Sequence, residues 1–214
     1  MKNILITGGA GYIGSHVTEF LIKKKYKIKI IDNLSTGYKF LINKKSKFYN
    51  GDINNVLLIK KIIKNEKIDS VIHLAANLSV SESVMKPMKY YINNVLGTLS
   101  ILKCLKDSTV KNFIFASTCA VYKDRLKNVN EKSNLNPTSV YGHSKLIAED
   151  IIKLYAQKNK INYGILRFFN VVGASKTGKI GQVTKGDQLF KNISLELMKK
   201  KPVIKIYGNN YNTK

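Results

Sequence analysis

Tyr141 and Lys145 stand four residues apart in Tyr141-Gly142-His143-Ser144-Lys145, at the start of a helical pattern. That spacing places both side chains on one helix face. An ammonium beside a phenol favours the phenolate, so the pair predicts a tyrosine with a lowered pKa that can accept a proton. Thr118, in Ser117-Thr118-Cys119, falls where a strand pattern ends and offers a hydroxyl that could hydrogen-bond a substrate oxygen beside that tyrosine. A second chemistry is written near the start of the chain, in Thr7-Gly8-Gly9-Ala10-Gly11-Tyr12-Ile13-Gly14. Glycines let the backbone turn tightly and approach a pyrophosphate, and the helix that follows offers it unpaired N–H groups. Asp32 comes at the end of the next apolar run, where a carboxylate would accept hydrogen bonds from ribose hydroxyls and repel a 2′-phosphate, favouring NAD over NADP. Taken singly, the glycines are a turn, Thr118 a strand-end cap and Tyr141 with Lys145 a common helix pair. Their order along one chain joins them.

Strand and helix signals alternate around these residues. Strands are expected at 2–7, 27–31, 47–50, 70–74, 112–116, 163–169 and 203–207, and helices at 12–25, 54–65, 90–105, 139–158 and 189–200. Asn54 could cap the second helix. Residues 123–138 are polar and lack a period, which reads as a long loop, and 175–186 are polar and glycine-bearing. Repeated β-α-β units imply a doubly wound parallel α/β sheet, with ligands at the carboxyl ends of its strands. His73, a strand-end histidine without metal partners, reads as structural, and no metal site is expected.

The bulk composition bounds the remaining possibilities. A chain of 214 residues with 44% hydrophobic content has room for one sizeable core. No signal-peptide pattern stands at the N-terminus, no apolar run is long enough to span a bilayer, and the two cysteines have neither disulfide-framework nor metal spacing. A cytoplasmic setting with no membrane partner follows as the expectation. The formal net charge of +24 suggests nucleic acid, but only Arg125 and Arg167 are arginines and the lysines are scattered over most helix surfaces. The charge therefore reads mainly as solvated faces that could help attract an anionic nucleotide.

The motifs together resemble the extended, nucleotide-sugar branch of the short-chain dehydrogenase/reductase family, the NAD-dependent epimerases and dehydratases. The matching segments are Thr7 to Gly14, Asp32-Asn33-Leu34, Gly51-Asp52-Ile53, His73-Leu74-Ala75-Ala76, Ser81-Glu82-Ser83-Val84, Tyr90 to Val95, Asn112 to Phe115, Tyr141 to Lys145 and Leu166-Arg167-Phe168-Phe169-Asn170. The resemblance implies a Rossmann domain over 1–170 and the beginning of a smaller nucleotide-sugar domain over 171–214, without that domain's uridine- and diphosphate-binding arginine. It implies NAD held by Gly8, Gly11, Tyr12, Ile13, Gly14, Asp32, Asn33, Leu34, Ser35, Thr36, Gly37, Asp52, Ile53 and Asn94, with Lys145 on the nicotinamide ribose. Leu74, Ala75 and Ala76 would line the cleft, and Phe169 would pack near the nicotinamide. Thr118 and Tyr141 would meet the 4-hydroxyl of a UDP-sugar, and Asn170, Gln188, Leu189 and Tyr207 would contact the rest of that substrate. Dehydratases of this branch carry Asp-Glu after the threonine. Here Cys119-Ala120 stands there, which implies 4-epimerisation, the interconversion of UDP-glucose and UDP-galactose by transient C4 oxidation. A homodimer is a further implication, through the helices around 90–105 and 139–158. The alternatives are another nucleotide-sugar epimerase or dehydratase, a non-catalytic NAD-binding module, and a polyanion-binding protein.

Overall fold

The computed structural model of the protein describes residues 2–124, 128–183, 188–205 and Gly208. Six parallel strands form one sheet: β1 (Asn3–Thr7), β2 (Lys27–Asp32), β3 (Lys47–Asn50), β4 (Ser70–His73), β5 (Asn112–Thr118) and β6 (Asn162–Phe168). Their order is β3-β2-β1-β4-β5-β6. The chain winds outward from β1 to β3, returns to β4 and winds outward again. The connections therefore part above β1 and β4, opening a crevice at their carboxyl ends, where Thr7 pairs with His73.

Side-chain alternation along the strands builds two cores. Leu5, Ile31, Val71, Phe113 and Phe115 face one side, covered by α2 (Val56–Asn65), α5 (Gly97–Leu105) and α6 (Val140–Asn159) through Ile59, Ile62, Ile101, Leu102, Ala148 and Ile152. Ile4, Ile6, Ile28, Ile30 and Ile72 face the other side, against Val17, Leu21 and Ile22 of α1 (Tyr12–Lys23). β1, β2 and β4 are buried along nearly their whole length, the condition for near-continuous apolar runs such as Ile28–Ile31 with its single Lys29, whereas β3 and β6 at the sheet edges are not.

Several elements differ from the sequence expectation, each for a local reason. The helix after β3 is capped by Asn55, whose side chain accepts from Leu58 N. Asn54 is committed instead to Asp52, donating to its carboxylate from both backbone and side chain. Residues 80–90 form two short helices, α3 (Val80–Met85) and α4 (Pro87–Tyr90), ahead of the expected start at 90. Ser79 caps α3 by accepting from Glu82 N, and Pro87 opens α4. The Ser-x-x-Glu spacing is a helix-start signature that apolar periodicity alone does not reveal. Tyr91–Leu96 is π-helical, a wider turn of the kind often found at functional sites. β5 runs on to Thr118, two residues beyond expectation, pairing Thr118 with Phe168. α7 (Leu189–Leu197) ends before Lys200. Of the strand expected at 203–207, residues 203–205 are not strand, and Ile206 and Tyr207 lie outside the described residues. Among the described residues, no helix is long and apolar enough to cross a membrane.

Candidate active site

The crevice is floored by the glycine-rich turn. Gly8 has φ +72, and a Cβ there would sit 2.7 Å from Ala75 N. At Gly14 a Cβ would collide with Gly8 O and lie 2.7 Å from Gly9 Cα. Only glycine allows loop, β4 and α1 to approach this closely. Gly11 caps α1 without any side-chain hydrogen bond, so the first-turn N–H groups point into the crevice with no side-chain acceptor. This cradle suits the pyrophosphate of a dinucleotide.

Asp32, at the end of β2, is buried and closes the next wall. Its carboxylate accepts from Ala10 N at 3.0 Å and Leu34 N at 2.8 Å. Burial raises its pKa, and those two N–H donors act against the rise. Each oxygen keeps a lone pair for a further donor, so a ribose hydroxyl remains a possible partner. Asn33, Ser35 and Thr36 are exposed beside it, with Leu34 and Gly37 half-buried. Asn33 reaches across to Asp52 at 2.9 Å. Burial raises the Asp52 pKa, but hydrogen bonds from Asn54 N and the Asn33 and Asn54 side chains outweigh it and hold the carboxyl below the usual range.

Other expected cofactor residues sit less simply. Ile53 belongs to the core, so only its backbone is available to a ligand. Asn94 is buried, and its amide is saturated. Oδ1 accepts from Asn77 N and Asn93 Nδ2, while Nδ2 donates to Asn77 O and Ser144 Oγ. A direct contact with a cofactor would break one of these bonds. The Tyr12 hydroxyl donates to Gly173 O at 2.6 Å, tying α1 to the segment after β6. Leu74, Ala75 and Ala76 are half-buried at the carboxyl end of β4, along the crevice.

The candidate reacting groups stand at the ends of β5 and the start of α6. Ser139 caps α6 by accepting from Gly142 N at 3.0 Å. A residue distant in sequence caps the neighbouring position: Ser83 Oγ accepts from Tyr141 N at 3.2 Å. The Tyr141 ring packs edge-on with the buried ring of Tyr90, centroids 6.4 Å apart. Tyr90 is anchored by donating to Glu82 Oε2 at 3.0 Å. Ser83 and Tyr90 thus position Tyr141, and Ser83 lies in the helical segment ahead of the expected start at 90. Thr118 Oγ1 accepts from Ala120 N at 3.1 Å, serving as a strand-end cap, and its hydroxyl stands beside the Tyr141 phenol.

The electrostatics correct the expectation that Lys145 lowers the tyrosine pKa. Burial raises Tyr141 above its ordinary value, and the Thr118 hydroxyl opposes the rise. Among the described residues no hydrogen bond joins Lys145 to Tyr141. Lys145 is itself buried, with Nζ 4.1 Å from the centroid of Phe115. Desolvation lowers its pKa to about 7, with the Glu149 charge acting upward. The i, i+4 spacing fixed the common face of the two side chains but not the dielectric around them.

A stability prediction follows from that burial. Below pH 7 Lys145 is protonated in folded and unfolded chains alike, and the folded state bears the full cost of a buried charge. Between pH 7 and its ordinary value of 10.5 only the unfolded chain keeps the proton, so wild-type stability gains about 1.4 kcal/mol per pH unit from this group. Lys145→Met should therefore be more stable than wild type at pH 6, by a few kcal/mol. The advantage should shrink between pH 7 and 10.5 in urea melts. Equal stability at pH 6 would contradict the buried charge.

The expected sugar-side residues are less gathered. Phe169, 63% exposed, and Asn170, also exposed, lie just past β6. Gln188 precedes α7 without capping it, and its Oε1 is buried with no hydrogen-bond partner among the described residues. Leu189 is exposed, and Tyr207 lies outside the described residues.

This arrangement has close counterparts among known proteins. The UDP-glucose 4-epimerase of Lactobacillus helveticus is 41% identical over 213 residues, covering 99% of this chain and 64% of the relative. That of Haemophilus influenzae is 38% identical over 222 residues, covering 98% and 66%. The chain thus spans just under two thirds of the length of these relatives. The structure of a Brucella ovis UDP-glucose 4-epimerase in complex with NAD superposes with a TM-score of 0.94 at 35% identity, over 100% of this chain and 66% of that one. A Bifidobacterium longum UDP-glucose 4-epimerase in complex with NAD+ and UDP gives a TM-score of 0.89 at 32% identity, over 99% and 67%. Residues 4–211 match the NAD dependent epimerase/dehydratase family, and the chain belongs to that family.

Proposed function

We propose that this chain binds NAD in the β1–β4 crevice and carries the reacting groups for interconverting UDP-glucose and UDP-galactose. The observation that carries the reading is the placement of Thr118, Tyr141 and Lys145 at the ends of β5 and α6, on the same sheet edge as the glycine cradle and Asp32. The relatives named UDP-glucose 4-epimerase support the substrate.

NAD, when bound, supplies the acceptor and donor of a hydride at C4 of the sugar. Tyr141 takes the O4 proton as C4 is oxidised and returns it when C4 is reduced from the opposite face. Thr118 would orient O4 by turning its hydroxyl proton from the phenol to the sugar oxygen. Lys145, buried beneath the crevice, would bind the nicotinamide ribose and place a positive charge near the phenolate once the site is filled. Elimination needs an acid at the neighbouring carbons, and Cys119 and Ala120 supply no carboxyl there.

We read 1–170 as the cofactor domain and 171–214 as the start of a nucleotide-sugar domain, with no side chain of α7 buried among the described residues. Met85, Met88, Ile92, Leu96 and Leu99 expose an apolar surface along the helices ahead of and within α5, and we read it as a homodimer face. Cytoplasmic galactose metabolism is the setting this reading implies. A second reading, a non-catalytic NAD-binding piece, is favoured by the exposure of Phe169, Asn170 and Leu189 on the sugar side.

The deciding experiment purifies the chain, measures retained NAD by absorbance after denaturation, records its mass in solution and assays UDP-galactose conversion. Retained NAD with turnover supports the first reading. Retained NAD without turnover selects the second, and failure to bind NAD at millimolar concentration overturns both.

A further inference from the structure

His73 is fully buried at the end of β4, and both of its ring nitrogens are engaged. Nδ1 lies 2.7 Å from Thr7 Oγ1, and Nε2 lies 3.1 Å from Thr98 Oγ1. The proton positions follow from counting. Thr98 Oγ1 is 2.6 Å from Asn94 O, a carbonyl that can only accept, so the single hydroxyl proton of Thr98 is committed there. Thr98 can then only accept from His73, and Nε2 must carry the ring proton. Nδ1 is left with a bare lone pair, to which the Thr7 hydroxyl donates. The Thr7 oxygen is free to accept, and Ala75 N donates to it at 3.2 Å.

The chain continues past Asn94. Its side-chain Nδ2 donates to Ser144 Oγ at 3.1 Å, and Ser144 Oγ donates to Tyr141 O at 2.7 Å. At the other end, Ala75 N is the atom that a Cβ on Gly8 would meet. Joined through the covalent frame of Asn94, whose main-chain O and side-chain Nδ2 take part in separate bonds, the hydrogen bonds run from beneath the glycine-rich loop, through β1, β4, α5 and the π-helical turn, to the backbone of Tyr141.

We propose that His73, fixed as its neutral Nε2–H tautomer, is a positioning residue that couples the glycine-rich loop to Tyr141 through this buried chain. Burial agrees with a neutral ring: desolvation first, and the nearby Lys145 charge second, lower the His73 pKa to about 3. A ring protonated at both nitrogens would need two acceptors, and the Thr7 hydroxyl proton would lose Nδ1, the acceptor that it has in the neutral ring. The coupling deepens the NAD reading above, on which it rests for the identity of the ligand at the loop.

The test cuts the chain at separate points. Thr7→Val and Thr98→Val keep the side-chain volume and remove a hydroxyl, and Thr7→Ser restores it. Amide hydrogen exchange of the free chain is read at Asn77, whose N–H is held by Asn94 Oδ1. Thr7→Val should speed that exchange roughly tenfold, Thr7→Ser should leave it at the wild-type rate, and the double Thr7→Val/Thr98→Val should exceed neither single by more than about twofold. NAD retention should weaken roughly tenfold in the same two valine variants. Unchanged Asn77 exchange in Thr7→Val, or fully additive effects, would overturn the coupling. Exchange is read without NAD, so a wild type that fails to retain NAD overturns the function proposed above while the exchange still decides this inference.

Discussion

Tyr141→Phe should lower UDP-galactose turnover by roughly 10²–10⁴-fold while leaving NAD retention and stability near wild type. Tyr141 stands in the first turn of α6 with its phenol beside the Thr118 hydroxyl. Its position is set by parts the substitution does not touch: the backbone N–H on Ser83, the Ser139 cap, and the ring against Tyr90. Phenylalanine keeps the ring contact and loses only the proton acceptor. The pH dependence sharpens the test. Burial raises the Tyr141 pKa and Thr118 opposes that, so the phenolate fraction, and with it wild-type turnover, should increase with pH on the alkaline side of neutrality. Thr118→Val removes the opposing bond and should push that rise to higher pH. Full turnover in Tyr141→Phe would remove Tyr141 from the reaction.

Glu149→Gln should destabilise the chain by about 3–5 kcal/mol, read as a lower urea midpoint at unchanged m. Glu149 is fully buried on α6, one helical step beyond Lys145, and Arg167 of β6 clamps it with Nε to Oε1 at 3.0 Å and Nη2 to Oε2 at 2.7 Å. Ser117 Oγ donates to the same carboxylate at 2.5 Å, and Arg167 reaches on to the Tyr122 hydroxyl at 3.1 Å. Neutralising Glu149 strands a guanidinium whose side chain is only 14% exposed. Arg167→Met should cost less, because Ser117 Oγ and Lys153 Nζ, 3.7 Å from Oε2, still partner the carboxylate. The double variant Glu149→Met/Arg167→Met should recover much of the loss, because neither desolvated charge remains. Additive losses would show that the pair is not coupled. The cluster pins α6 to β5 and β6, so turnover should fall with stability in the single variants.

The tyrosine prediction rests on residues that sequence spacing exposed, whereas the clamp around Glu149 did not show in the sequence. Tyr141, Lys145, Thr118, Asp32 and the glycine turn were legible because each is defined by near neighbours. Four residues along a helix share a face, glycine takes a φ of +72 without strain, and a strand end needs only a run of apolar residues before it. The sheet and its parallel sense were legible for the same reason, as alternation of short periodic segments. The helices at 80–90 were hidden because α3 and α4 leave Val80, Val84, Met85 and Met88 exposed, and an exposed apolar set has no buried face to give it a period.

What the tertiary structure alone decided is which polar atom meets which. Ser83 and Tyr141 N are 58 positions apart, and Thr7 and His73 are 66 apart. No local rule links them. Their pairing follows from the need to satisfy each buried donor and acceptor once the strands are in register. The same step reversed the electrostatic expectation at Lys145. The sequence by itself determined that a phenol and an ammonium share one face of a helix beside a phosphate cradle. The packing around them raised the pKa of that phenol and lowered that of the ammonium, because a side chain's pKa is set by the solvent it loses and the charges it meets.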